Sequence, residues 1–165
     1  FRECTSLEQV EIPPSLTELS SRVFFGCSSL SGVTFNEGLE RIGSNALRNC
    51  NISGDINLPS TIKYINCRAF EGNPYIGHVD LPNIEELDSC NISAGSLYNY
   101  VGPFYKANLT SVHIGPNIQT IGVKAFANCL LLTEVTLDFG IPYIQTEMFE
   151  NCSSLSGTRS TALTG

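Results

Sequence analysis

Shifted by 23 residues, the chain maps onto itself, and no other feature constrains its fold as much. Leu7 lands on Leu30, Val10 on Val33, Ile12 on Phe35, Leu16 on Leu39, Leu19 on Ile42 and Cys27 on Cys50. A fixed period of roughly 20–50 residues marks a solenoid, in which each repeat is one turn of a coil that buries its apolar side only against its neighbours. The 165 residues therefore read as one continuous domain, 1–165, of about six and a half turns. Phe1–Ser6 reads as the tail of a preceding turn, and a seventh turn opens at Leu155 and loses the pattern. Neither end shows a polar capping repeat, so the expectation is a piece of a longer array.

Each turn has three parts. The first is L-x-x-V-x-I, in which Val10 and Ile12 alternate with Glu11, the period of a half-buried strand. Pro or Gly follows in several turns (Pro13, Pro59, Pro82, Gly115-Pro116) and ends the strand. The second is a short L-x-x-I segment on the opposite side, as in Leu39 and Ile42. The third is A-F-x-x-C-x-x-L, as in Ala125-Phe126 and Cys129. It is too short for a full helix, so the spacing predicts a single helical or 3-10 turn that plugs the interior with Phe. Just before the Cys stands a column of Gly26, Asn49, Gly72, Asn128 and Asn151. Gly and Asn tolerate positive φ, which predicts a left-handed corner.

The fourth turn drifts by one residue, with Ile84 and Leu87 ahead of their expected places. Between Asp88 and Asn108 the pattern is then stretched by about ten residues. This insertion, 89–106, carries Tyr98, Tyr100, Phe104 and Tyr105, and Phe104 is the expected counterpart of Phe70.

The unit V-x-I-P-x-x-I-x-x-I-G-x-x-A-F-x-x-C-x-x-L resembles the BspA-type leucine-rich repeat. Val112, Ile114, Ile118, Ile121-Gly122, Ala125-Phe126, Cys129 and Leu132 carry the match most fully. The resemblance spans nearly everything outside the insertion and the last ten residues. It implies a right-handed, β-rich leucine-rich-repeat solenoid with 23-residue turns. It also implies a cell-surface or secreted protein of host-associated bacteria or protists, with roles in adhesion and in binding host or matrix proteins. The family has no shared catalytic residues.

Charge and motifs narrow the function classes. A formal net charge of −7 with nine basic residues argues against nucleic acid, which needs a cationic footprint, and against a polybasic membrane contact. No apolar run approaches the roughly 20 residues of a membrane span. Nucleotide-loop, zinc-protease and nucleophile-elbow motifs are missing, and neither His78 nor His113 has a nucleophile nearby in sequence. The expected function is non-enzymatic binding of a protein or glycan, without a cofactor, on an extracellular or cell-surface protein. The alternative is a structural subunit that self-associates head to tail through uncapped solenoid ends.

Five sets of residues stand out. Glu11, Thr34, Asn57, Asp80, His113 and Thr136 form one outward strand column; Gln9, Gly32, Asp55, His78, Ser111 and Glu134 form the next. Together they read as a solvated polar face. At the inter-strand spacing Asp55, Asn57, His78 and Asp80 fall near one another, so oxygen-rich metal ligation is the sharper reading of the same residues. Tyr98, Tyr100 and Tyr105 are either anchors on a recognition loop or rings folded back over their own turn. Cys4, Cys27, Cys50, Cys129 and Cys152 read as a column of small buried thiols. Cys67 and Cys90 stand outside it, 23 apart; they are free thiols or, in an oxidising compartment, a disulfide that clamps the out-of-register turn. Sequons at Asn51, Asn91, Asn108 and Asn151 offer N-glycosylation sites in a secreted eukaryotic chain.

Overall fold

The alternation of inward and outward side chains becomes a coil with two parallel sheets. The structure, a computed structural model, describes residues 1–92, 100–138, 144–145, 147–156 and 159–160. In chain order its strands are β1 (Gln9–Ile12), β2 (Glu18–Leu19), β3 (Gly32–Phe35), β4 (Arg41–Ile42), β5 (Ser53–Ile56), β6 (Tyr64–Ile65) and β7 (Tyr75–Leu81). They continue as β8 (Glu86–Leu87), β9 (Cys90–Asn91), β10 (Tyr100–Val101), β11 (Ser111–Ile114), β12 (Thr120–Ile121), β13 (Glu134–Leu137) and β14 (Arg159–Ser160).

The V-x-I segments form the front. β1 pairs with β3, and a second front sheet runs β14-β13-β11-β7-β5. The L-x-x-I segments form the back as two-residue strands in the order β12-β8-β6-β4-β2. All of these pairings are parallel, and at the regular rungs the register is the repeat itself: Val10 opposite Val33, Leu19 opposite Ile42, Val112 opposite Val135. Five turns have both a front and a back strand described.

The front sheet breaks between β3 and β5, where turn three reads Ser-Gly-Asp-Ile. β5 ends at Ile56, so Asn57 lies beyond the strand and not on its face. The rung is held instead by Asn51 N–H to Leu30 O and Ser53 N–H to Ser31 O, at 3.0 and 3.2 Å. An extra residue in β7 shifts the β5–β7 register between Gly54 and Ile56. The back absorbs the compensating loss: Leu87 still lies opposite Ile65.

The third part of the turn is not helical. Among the described residues it is a run of tight turns with two left-handed columns. One is the expected corner, with φ between 56° and 75° at Gly26, Asn49, Gly72, Asn128 and Asn151. The other stands four residues earlier at Arg22, Asn45, Arg68, Lys124 and Glu147, with φ between 58° and 65°. Arg, Lys or Glu occupies four of its five positions, so residue preference alone does not reveal it. A 3-10 turn would point its hydrogen bonds along the segment. Here many point to the neighbouring turn, as Phe24 N–H to Ala46 O and Gly26 N–H to Arg48 O do, at 2.9 Å each.

The core is a set of vertical ladders. Phe70, Phe104 and Phe126 stack with ring centroids 5.0 and 5.2 Å apart, and Phe149 continues the column at 5.7 Å. Beside it, thiols of Cys50, Cys129 and Cys152 donate to the carbonyls of Phe24, Phe104 and Phe126, each at 3.1 Å. Cys27, Cys50, Cys129 and Cys152 are buried and free, whereas Cys4 is exposed. Where the pattern puts Asn73 in the Cys position, its amide donates to Leu47 O at 2.9 Å and Phe70 O at 2.8 Å and accepts from Ile52 N–H at 3.0 Å. Asn73 is fully buried, and these bonds offset the desolvation of its amide.

Candidate functional site

Two regions of the surface carry the candidate residues: the front sheet, and the corner where the insertion leaves the coil. On the front, β5, β7 and β11 place Asp55, His78 and Ser111 on successive turns. Asp55 Oδ1 accepts from the backbone N–H of His78 at 2.8 Å. The His78 ring is hydrogen-bonded through Nδ1 to Ser111 Oγ at 2.8 Å.

One column over, β7 and β11 bring Asp80 and His113 opposite each other. His113 Nδ1 lies 2.6 Å from Asp80 Oδ1, and its Nε2 lies 3.2 Å from Asp138 Oδ1, just past β13. A neutral imidazole has one N–H to donate, so a ring between two carboxylates favours the imidazolium. Partial burial pulls the His113 pKa down, but the hydrogen bonds and charges of Asp80 and Asp138 outweigh it, and the net shift is upward.

Asn57 takes no part in either line, because β5 ends before it. Asp55, Asn57, His78 and Asp80 therefore do not converge: Asp55 turns to the His78 backbone, and Asp80 to the next turn. Among the described residues no three His, Cys, Asp or Glu side chains are placed to hold a metal ion. Ser111 and Asp138 complete the two lines. The repeat register carried the signal for Ser111. Asp138 follows the strand end and is paired only by the turn geometry.

The insertion leaves from the corner between the back strand and the Phe plug. It starts as a β-hairpin: β9 and β10 pair antiparallel, Asn91 opposite Tyr100 and Cys90 opposite Val101. A disulfide joins Cys90 to Cys67 on the turn below, with Cα atoms 5.6 Å apart. The chain then re-enters the coil. Arg68 N–H donates to Gly102 O, and Phe70 N–H to Pro103 O, at 3.0 and 2.9 Å. A Cβ on Gly102 would run into the Ala125 backbone, so this return passes where only glycine fits.

Tyr100 is 37% exposed on the arm. Tyr105 is half-buried beside the Phe column, with Lys106 Nζ 5.2 Å from its ring centroid. Tyr98 lies outside the described residues, as does Ile141. Of the sequons, Asn91 on β9 and Asn151 on the corner are exposed, and Asn51 is half-buried. Asn108 is half-buried, and its Oδ1 accepts from Leu130 N–H at 3.0 Å.

Two parallel sheets, tight corners and a stacked Phe column define a leucine-rich-repeat solenoid with a polar strand face. The chain belongs to the BspA-type leucine-rich repeat family, whose model matches residues 1–103 and 96–161 in six copies. No curated protein matches it in sequence. Among solved structures it is similar to a leucine-rich cell-surface protein from Faecalibacterium prausnitzii, at 16% identity and TM-score 0.50, covering 96% of this chain and 61% of that one. A leucine-rich repeat protein from Bacteroides ovatus (19% identity, TM-score 0.42, 97% and 56% covered) and the pneumococcal vaccine antigen PcpA (14%, 0.42, 96% and 57%) also align. The chain thus spans about three fifths of the first of these proteins, and the likeness concerns the fold.

Proposed function

We propose that the chain is a non-enzymatic binding module of an exported or cell-surface protein, recognising a protein or glycan through the insertion arm and the polar front sheet. The observation that carries this reading is the arm. Eleven residues more than one period separate Phe70 from Phe104, yet the two rings stack at 5.0 Å. The coil needs none of the extra length. The arm is nonetheless fastened at its base by a disulfide and presents Tyr100 to solvent. A loop held on a rigid scaffold with an exposed aromatic is a common form of recognition element. The disulfide suits an oxidising, extracellular setting. The front sheet adds a polar surface whose side chains are already held by hydrogen bonds, which lowers the entropy cost of binding.

The test is binding of the labelled chain to a glycan array and to an array of extracellular protein domains. Capture that falls at least about tenfold with Tyr100→Ala, at unchanged melting temperature, is the expected result. Capture indifferent to Tyr100→Ala and to His113→Gln, or no capture on either array, would overturn the reading.

A further inference from the structure

The chain is acidic overall, yet four of its nine basic residues surround one cavity of about 410 Å³. Arg22, Asn45 and Arg68 form one wall, on successive turns of the second left-handed column. Arg2, Phe25 and Arg48 form another, and the base of the arm, Cys90–Ile92, closes the side. Successive turns stack at about 4.8 Å, so Arg22 and Arg68 stand about 10 Å apart with Asn45 between them.

The charges here are not balanced within the fold. Glu71 is the carboxylate for both Arg48 and Arg68. Arg2 pairs with Glu3 at 3.1 Å. Arg22 has no acidic partner among the described residues. Asn45, between Arg22 and Arg68 in that column, is 9% exposed. Arg48 Nε is buried 3.2 Å from Glu71 Oε2 but makes no aligned hydrogen bond. An Arg22 guanidinium without an acidic partner and a buried Arg48 Nε without an aligned hydrogen bond, both lining one cavity, point to a ligand that supplies acceptors.

We propose that this cavity binds an acidic monosaccharide unit, its carboxylate held by the fork of Arg22, its hydroxyls against Asn45, and Arg68, whose own fork is taken by Glu71, adding its charge and remaining N–H groups. Arginine's planar fork matches a carboxylate in two parallel hydrogen bonds. The cavity volume lies in the range of small-molecule sites, roughly 300–1,000 Å³, and far exceeds what a bare inorganic anion fills. The amide supplies the neutral hydrogen bonds that a sugar ring requires and a simple anion does not. The proposal deepens the binding-module reading by naming a ligand class. It is tested apart from it, because Arg22→Gln addresses the cavity and Tyr100→Ala addresses the arm's exposed face.

The experiment is calorimetric titration of the oxidised chain, at low ionic strength, with sodium glucuronate, N-acetylneuraminic acid, glucose and inorganic sulfate. At least one sugar acid should bind more tightly than glucose or sulfate by about tenfold or more, since a neutral sugar leaves Arg22 unmatched. Arg22→Gln should weaken that binding about tenfold at an unchanged melting temperature, because Arg22 is exposed and holds nothing else. Asn45→Asp keeps a residue that tolerates positive φ and should abolish binding by placing a carboxylate against the ligand's own. No binding of either acid, binding unaffected by both variants, or sulfate binding as tight as the sugar acids would each overturn the proposal.

Discussion

The interior column and the corner above it follow the same repeat under opposite demands. In the interior, every turn must place an apolar plug at the same height, and most set a small donor beside it, although Ala107 does not. Phe104 meets that demand after 34 residues as well as Phe126 does after 22. Asn73 supplies the donor with an amide where other turns use a thiol. At the corner the backbone keeps its rungs but no side chain has to fill the interior, so an arm leaves, a disulfide forms, and charged residues occupy left-handed positions. A solenoid is thus strict about register at its rungs and tolerant of chain length between them. The length-tolerant places are where chemistry accumulates.

The sharpest way to break this contrast is Phe104→Ala. It opens a void between two stacked rings and should cost about 3–5 kcal/mol in denaturant unfolding. A cost below about 1 kcal/mol would mean that the return from the arm is loosely packed. Removing the Cys67–Cys90 disulfide by double Ser substitution is expected to cost about 3 kcal/mol, the loop-closure figure for a loop of this length. Tyr100-dependent capture should fall with it, because the arm loses its fastening.

Within the core, Asn73→Ala leaves the Leu47 and Phe70 carbonyls and the Ile52 N–H without their partner and should cost about 2–4 kcal/mol. Asn73→Cys should recover part of that loss through the thiol-to-carbonyl bond of the neighbouring turns. Equal instability of the two variants would show that the Cys ladder is packing alone.

The smallest effect belongs to the front sheet. The His113 pKa is raised in the folded chain, so its contribution is fully present below the unfolded value of about 6.5 and is lost as pH rises through the elevated folded value. The melting temperature should therefore fall slightly from about pH 6 to about pH 8, and His113→Gln should remove that His-dependent part of the drift. An unchanged drift in His113→Gln would place its origin elsewhere.

Much of this was legible in the residues. The period named the fold, and the Gly/Asn column marked one of the two corners. Phe104 was identifiable as the counterpart of Phe70 because a repeat carries long-range information in local spacing. The Asp80–His113 contact was less legible. Both residues sat in the correct outward column, but the nearest-neighbour expectation tied Asp80 to Asn57. The break at Ser53–Ile56 removed Asn57 from the strand. The helical turn expected around Ala125-Phe126 failed for a related reason. Local composition permits a short helix, but the neighbouring turn supplies the hydrogen-bond partners that favour a tight left-handed corner.

By itself the sequence determined the parallel coil, its apolar ladders and the site of its interruption, since a 23-residue period admits one stacking register. Only the tertiary structure decided what the interruption does. It placed Cys90 against Cys67, turned β9 toward the arginines, and set Arg22, Asn45 and Arg68 around one cavity. Those residues share one repeat position on three successive turns, so the period aligns them. That they line a cavity depends on corner geometry and on the direction in which the arm folds, and neither is encoded in the period.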